Sequence, residues 1–146
     1  MNKNIFAAAL FSLSLFTPFN LCKAAPVQYT NYIDMDEHYT GVIIDCRGLG
    51  LETAMSPVIE DLRGRKLYGH KNLNPQIIAT RGMAGYAIGF KDTAIARAGR
   101  NPIILRAVRV NHNNTYPVID EADAVLLHYS NVKHNYLNEG AVVFVR

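Results

Sequence analysis

From residue 41 onward, short apolar runs alternate with polar breaks marked by glycine, proline or asparagine, the pattern of a small domain built from both strands and helices. Gly41 to Arg47 reads as a strand with two unlike faces, Val42, Ile44 and Cys46 pointing one way and Ile43, Asp45 and Arg47 the other. Pro57 to Asp61 and Arg65 to Gly69 read as a hairpin, in which Asp61 opens the turn and Gly64 takes the positive φ that a tight turn needs. Asn74 to Gly82 carries helix punctuation: Asn74 as N-cap, Pro75 at the first helical position, Arg81 in the last turn and Gly82 beyond it. Met83 to Phe90 predicts a strand where Gly85 and Gly89 mark a bulge or a close backbone crossing.

Asp92 to Ala98 predicts one or two helical turns, stopped by Asn101-Pro102. Ile103 to Val110 is apolar on both faces except for Arg106 and Arg109 and predicts a strand central in its sheet; Asn111 to Asn114 follows as a polar loop. The longest helical pattern runs from Asp120 to Asn138. Ala122, Val125, Leu126, Tyr129, Val132, Tyr136 and Leu137 recur there mostly at three- and four-residue steps, Asp120, Glu121 and Asp123 suit its N-terminal end, and Gly140 ends it. Ala141 to Arg146 closes the chain as a buried strand. The expected fold is a single α+β domain over residues 41–146, a mixed sheet of about five to six strands packed against the long C-terminal helix and one or two short ones.

The residues ahead of that domain divide in two. Residues 1–24 combine Lys3, the apolar run Ile5 to Phe16 and the small residues around Ala24, which predicts a signal peptide and an exported, periplasmic protein. A membrane span needs about 20 apolar residues, and Pro18, Asn20 and Lys23 end this run early. Cys22 raises outer-membrane lipidation as an alternative, which bulky Leu21 disfavours. Residues 25–40, polar and carrying Asp34, Asp36 and Glu37, predict an extended lead-in.

Charge narrows the function classes. Removing Lys3 and Lys23 with the signal peptide leaves thirteen basic against twelve acidic residues, so no clustered excess points to nucleic acid. Cys46 becomes the one remaining cysteine, and no internal disulfide is expected.

Candidate chemistry is sparse. Gly48-Leu49-Gly50 after an apolar strand hints at a dinucleotide loop, but Thr53 stands where a third glycine is needed and Pro57 leaves no room for the crossover helix, so no cofactor is expected. The glycines then relax a turn leaving a buried strand. Alternation turns Cys46 toward the apolar row as a buried thiol. His128 and His134 lie six apart, a spacing that does not put two ligands on one helix face, so no metal is expected. Arg63, Arg65 and Lys66 form a small basic tip, read as a solvated turn and as an alternative contact for an acidic partner or lipid head group.

Taken together, YTGVIIDCRGLGLETAMSPVIED, KLYG, RGMAGYA, NPIILRAVRV, YPVIDEADA and GAVVFVR resemble, in order and spacing, a C-terminal region of the twenty-kilodalton lipoprotein family of exported proteins, some of them linked to flagellar or outer-membrane assembly. The similarity runs from Tyr39 to Arg146. Two departures stand out: those relatives carry a lipidation signal and further sequence ahead of this region, and Cys46 stands where a small residue such as alanine is usual. The resemblance implies export and an envelope role and brings no catalytic residue across.

The expected function is a non-enzymatic periplasmic or envelope-associated module that binds another envelope protein, with flagellar or outer-membrane assembly as its setting and peripheral membrane association allowed. Its binding surface is expected around Arg47, Gly48, Gly50, Ser56, Arg63 and Arg65. The alternatives are a small periplasmic enzyme using Cys46 with His70 or Asp45 with Arg47, and a binder of lipid or the envelope surface.

Overall fold

The structure is a computed structural model and describes residues 25–146. The expected signal peptide and Cys22 lie outside the described residues. Eight strands fall in chain order as β1 (Gly41–Asp45), β2 (Ile59–Asp61), β3 (Lys66–Tyr68), β4 (Gly85–Ala87), β5 (Pro102–Arg106), β6 (Arg109–Asn111), β7 (Tyr116–Ile119) and β8 (Val142–Val145). The helices are α1 (Pro75–Arg81) and α2 (Glu121–His134), with 3₁₀ segments at His70–Asn72 and Thr93–Ala98.

The fold is α+β, as the pattern predicts, but its strands sort into two four-stranded sheets rather than one. The first has the order β4-β8-β1-β5, all parallel; the second, β3-β2-β7-β6, is mixed. Parallel strands are covered on both faces, which explains runs such as Val142 to Val145 that are apolar at every position. One face of β1 (Val42, Ile44), with Cys46 just beyond it, joins Ile103, Leu105, Val142 and Phe144 to Ile59, Tyr68, Ile119 and Leu127 in the larger core. The other face, with Ile43, Val143 and Val145, packs with Ala87 and Ala98 against Phe90, Ala94 and Ile95. Each of these large side chains contributes about 1.5–3 kcal/mol on full burial, so β1 and β8 anchor the molecule.

Local signals that satisfy backbone groups are realised closely. Asn74 caps α1 by accepting from Gln76 N at 2.9 Å, and Gly64 turns the β2–β3 hairpin at φ 78°. Where the structure departs from the pattern, a competing bond is visible. Ile103 to Val110 is not one central strand: Ala107 N still donates to Asp45 O (3.0 Å), whereas Val108 N already donates to Val118 O (2.8 Å), so the chain changes sheets between β5 and β6, and both are edge strands. Apolar character on both faces of β5 reflects cover from the two cores.

β7 carries no clear strand signal, because Pro117 sits inside it. The proline is tolerated because pairing with β2 begins only at Val118. Helix α2 ends at His134, short of Gly140, because Asn135 adopts the left-handed conformation (φ 52°) and donates its N–H to Asn131 O at 2.6 Å. Ser130, Tyr136 and Asn131 then fix the following turn, with Ser130 Oγ 2.6 Å from Tyr136 Oη and Leu137 N donating to Asn131 Oδ1 at 2.9 Å.

The face of α2 also differs. Ala124, Leu127 and Ser130 are buried, whereas Val125, Tyr129 and Val132 from the expected apolar row point outward. The helix is apolar around much of its circumference, so spacing alone does not choose a face.

Residues 25–40 form no strand or helix, but hydrogen bonds hold them to the sheet. Thr30 N donates to Ile104 O (2.8 Å) and Ile104 N to Thr30 Oγ1 (3.1 Å), which lays the segment along the outer edge of β5. The close crossing expected at Gly85 and Gly89 falls elsewhere. At Gly89 a Cβ would meet nothing within 4 Å, and at Gly85 it would lie 3.1 Å from the flexible Arg97 Cδ. At Gly41 it would lie 2.4 Å from Ala98 O and 2.6 Å from Ala141 O.

Candidate binding surface

Gly48 and Gly50 form the corner that the chain needs on leaving β1, with φ of 79° and 70° and open space around each. Beside them the carboxyl ends of the parallel strands bring polar groups together, the region where open parallel sheets commonly hold ligands. Asp45 is 2% exposed there. Arg47 grips it through Nε (2.9 Å), Nη2 (2.8 Å) and its backbone N–H (3.1 Å), and Tyr29 Oη donates to it at 2.7 Å. Burial pushes the Asp45 carboxyl up, but the bonds from Arg47 and Tyr29 outweigh it and hold the group below its ordinary value. The Arg47 guanidinium lies 4.9 Å from the Phe90 ring centre, and Arg106 Nη1 donates to Tyr29 Oη at 3.2 Å. Both oxygens of Asp45 are therefore occupied by donors from the protein itself, so Asp45 and Arg47 tie the lead-in segment to the sheet end. The sequence pattern shows only the Asp45/Arg47 part; Tyr29, Phe90 and Arg106 arrive from distant positions.

Cys46 points into the larger core as alternation predicts and is 1% exposed, its Sγ 3.7 Å from Ile44 O. Burial, with a smaller push from the Asp45 charge, raises its thiol to about 12. A neutral thiol is a poor nucleophile at physiological pH, and His70, exposed on the 3₁₀ segment, makes no hydrogen bond to it.

The basic hairpin tip is exposed to solvent, Arg63, Arg65 and Lys66 alike, but it is anchored from beneath. Asp61 is fully buried and accepts from Arg63 N (2.9 Å), Arg65 N (2.8 Å) and Arg65 Nε. Burial works against the Asp61 charge, but these bonds hold its carboxyl below the ordinary range. Arg63 Nε (3.0 Å) and Arg65 Nη2 (3.3 Å) also reach Glu121, in the first turn of α2. Arg63 and Arg65 are thus one cluster with the start of α2. Arg47, Gly48 and Gly50 belong to the sheet end, and among the described residues no hydrogen bond or ion pair joins the two groups.

Ser56 belongs to a third place. It lines an open cavity of about 570 Å³ together with Val58, Lys66, His70, Lys71 and Tyr116. Along the outside of α2 runs a row that sequence spacing assigns to the core: Val125, Tyr129 and Val132 are 51%, 60% and 69% exposed. Between that row and β3, Leu67, Ala124, Val125, His128 and Tyr129 border a groove of about 430 Å³. Among the described residues no group of three or more metal-ligating side chains converges, and no helix is long and apolar enough to cross a membrane.

Fold and surface together define a small α+β domain with a covered parallel sheet, a saturated polar cluster at the sheet end and an apolar helix face open to solvent. Residues 41–146 match the family model described as Treponema pallidum Tp0624, second domain, and the chain belongs to that family. No curated protein matches the chain.

Proposed function

We propose that the chain is a non-enzymatic binding module of the cell envelope, exported to the periplasm, that docks a partner protein on the outer face of α2. The observation that carries this reading is the row Val125, Tyr129 and Val132, three large apolar side chains at steps of four and three on one exposed helix face. Such a stripe loses water contact only when a partner covers it. Arg63 and Arg65, held at the start of the same helix by Glu121, extend the surface with two fixed guanidinium groups.

The resemblance of residues 39–146 to the twenty-kilodalton lipoprotein family supports an envelope setting, flagellar or outer-membrane assembly being the process it suggests. It also supports peripheral association with the membrane, whether through the folded surface or through lipidation at Cys22. The mass of the mature N-terminus separates a cleaved soluble chain from a diacylated one.

The test compares the full mature chain with a Val125→Lys/Val132→Lys variant as baits for envelope extracts, with circular dichroism confirming that both are folded. A protein retained by the parent and lost from the variant supports docking on α2. Equal retention by the two baits, or none by either, removes the reading.

A further inference from the structure

The cavity around Ser56 shares no lining residue with the Asp45 cluster, and of its lining only Lys66 also borders the groove beside α2. It is lined by Val58 of the chain entering β2, Lys66 of β3, Tyr116 of β7 and the 3₁₀ segment bearing His70 and Lys71. The lining includes three basic side chains and no carboxylate. Neither Lys66 nor Lys71 has an ion-pair partner among the described residues. The nearest acid by register is Glu60, opposite Lys66, and it is 3% exposed and turned to other partners: Asn111 Nδ2 at 3.1 Å and His112 Nε2 at 3.4 Å. Both lysines are thus exposed cations that line the cavity without an ion-pair partner among the described residues.

We propose that this cavity binds a small phosphate ester, its dianionic group held between Lys66, Lys71 and His70 and its organic part lying on Val58 and the Tyr116 ring. Two ammonium groups supply six N–H donors in movable geometry, which suits a tetrahedral anion. The hydroxyl of Ser56, also in the lining, adds a neutral donor. The volume, about 570 Å³, is within the range of roughly 300–1,000 Å³ typical of small-molecule sites. A phosphate ester reaches such a site either as a free metabolite or as a lipid head group, and the chemistry of recognition is the same.

The experiment titrates the folded mature protein with inorganic phosphate and with phenyl phosphate, following the His70 imidazole resonances and the heat of binding, and measures co-sedimentation with phosphatidic acid vesicles. Saturable binding of phenyl phosphate tighter than inorganic phosphate is expected, weakened roughly tenfold or more by Lys71→Glu and by Lys66→Gln. Arg100→Glu, at an exposed cation elsewhere on the surface, leaves it unchanged. Vesicle binding lost on Lys71→Glu assigns the lipid form of the ligand, and binding of phenyl phosphate without vesicles assigns the free form. Absence of saturable binding to phenyl phosphate and to the vesicles alike, no weakening by Lys71→Glu and Lys66→Gln, or equal weakening by Arg100→Glu, overturns the proposal.

Discussion

At the scale of single residues, the tightest constraint is Gly41. A methyl group there would overlap two carbonyl oxygens, Ala98 O and Ala141 O, neither of which belongs to a flexible side chain. Gly41→Ala must therefore push β1 away from its neighbours, and the expected loss is about 2–4 kcal/mol in urea or thermal unfolding. The corner glycines behave differently, because Gly48 and Gly50 have open space and pay only for their positive φ. Gly48→Ala is expected to cost about 1 kcal/mol, so a Gly41→Ala variant as stable as Gly48→Ala would show that the crossing can relax. Sequence alternation is enough to turn Cys46 inward, since period two needs no knowledge of neighbours. The crossing at Gly41 is invisible to it, because both carbonyls arrive from far along the chain.

At the scale of elements, Arg97 does what no local signal announces. From the 3₁₀ segment Thr93–Ala98 it donates to Gly140 O (2.7 Å), Arg81 O (2.6 Å) and Gly82 O (2.7 Å), closing the end of α1 and the turn before β8 with one planar group. Lysine has one nitrogen and cannot span three carbonyls. Arg97→Lys is expected to destabilise by about 2–3 kcal/mol, with amide exchange accelerated first at Gly82 and Ala141; uniform exchange across the chain would count against such a joint. Elements bounded by their own caps, such as α1, and the β2–β3 hairpin were legible in the sequence. The division of Ile103 to Val110 between two sheets, the strand through Pro117 and the outward row of α2 were not, because each is decided by a bond or a neighbouring surface distant in sequence. The candidate surface followed the same rule: Arg63 and Arg65 were legible as a pair, but their tie to Glu121 was not.

At the scale of the whole molecule, opposed carboxylates shape the response to pH. Asp45 and Asp61 are held below the ordinary aspartate value of 3.8, so they stabilise the fold above it and their contribution is lost as pH falls through their lowered values. Asp123 is the reverse case, raised to about 6 by burial and by the nearby Asp120 charge. Its contribution is complete below 3.8 and is lost as pH rises through about 6. Thermal stability is therefore expected to peak on the acid side of neutrality, and Asp123→Asn should flatten the decline above that peak, adding on the order of 1 kcal/mol at pH 7 after screening. A parent and variant with parallel pH profiles would contradict this. The lead-in segment has a different consequence. By occupying the outer edge of β5 with Thr30, it works as a guard against strand addition by other copies of the chain. A polypeptide trimmed to the family-matched residues 41–146 keeps every strand and leaves that edge bare. It should self-associate with rising concentration in sedimentation experiments where the chain beginning at residue 25 stays at constant mass, so residues 25–40 guard the sheet edge as well as supplying Tyr39 to the larger core and Tyr29 to Asp45.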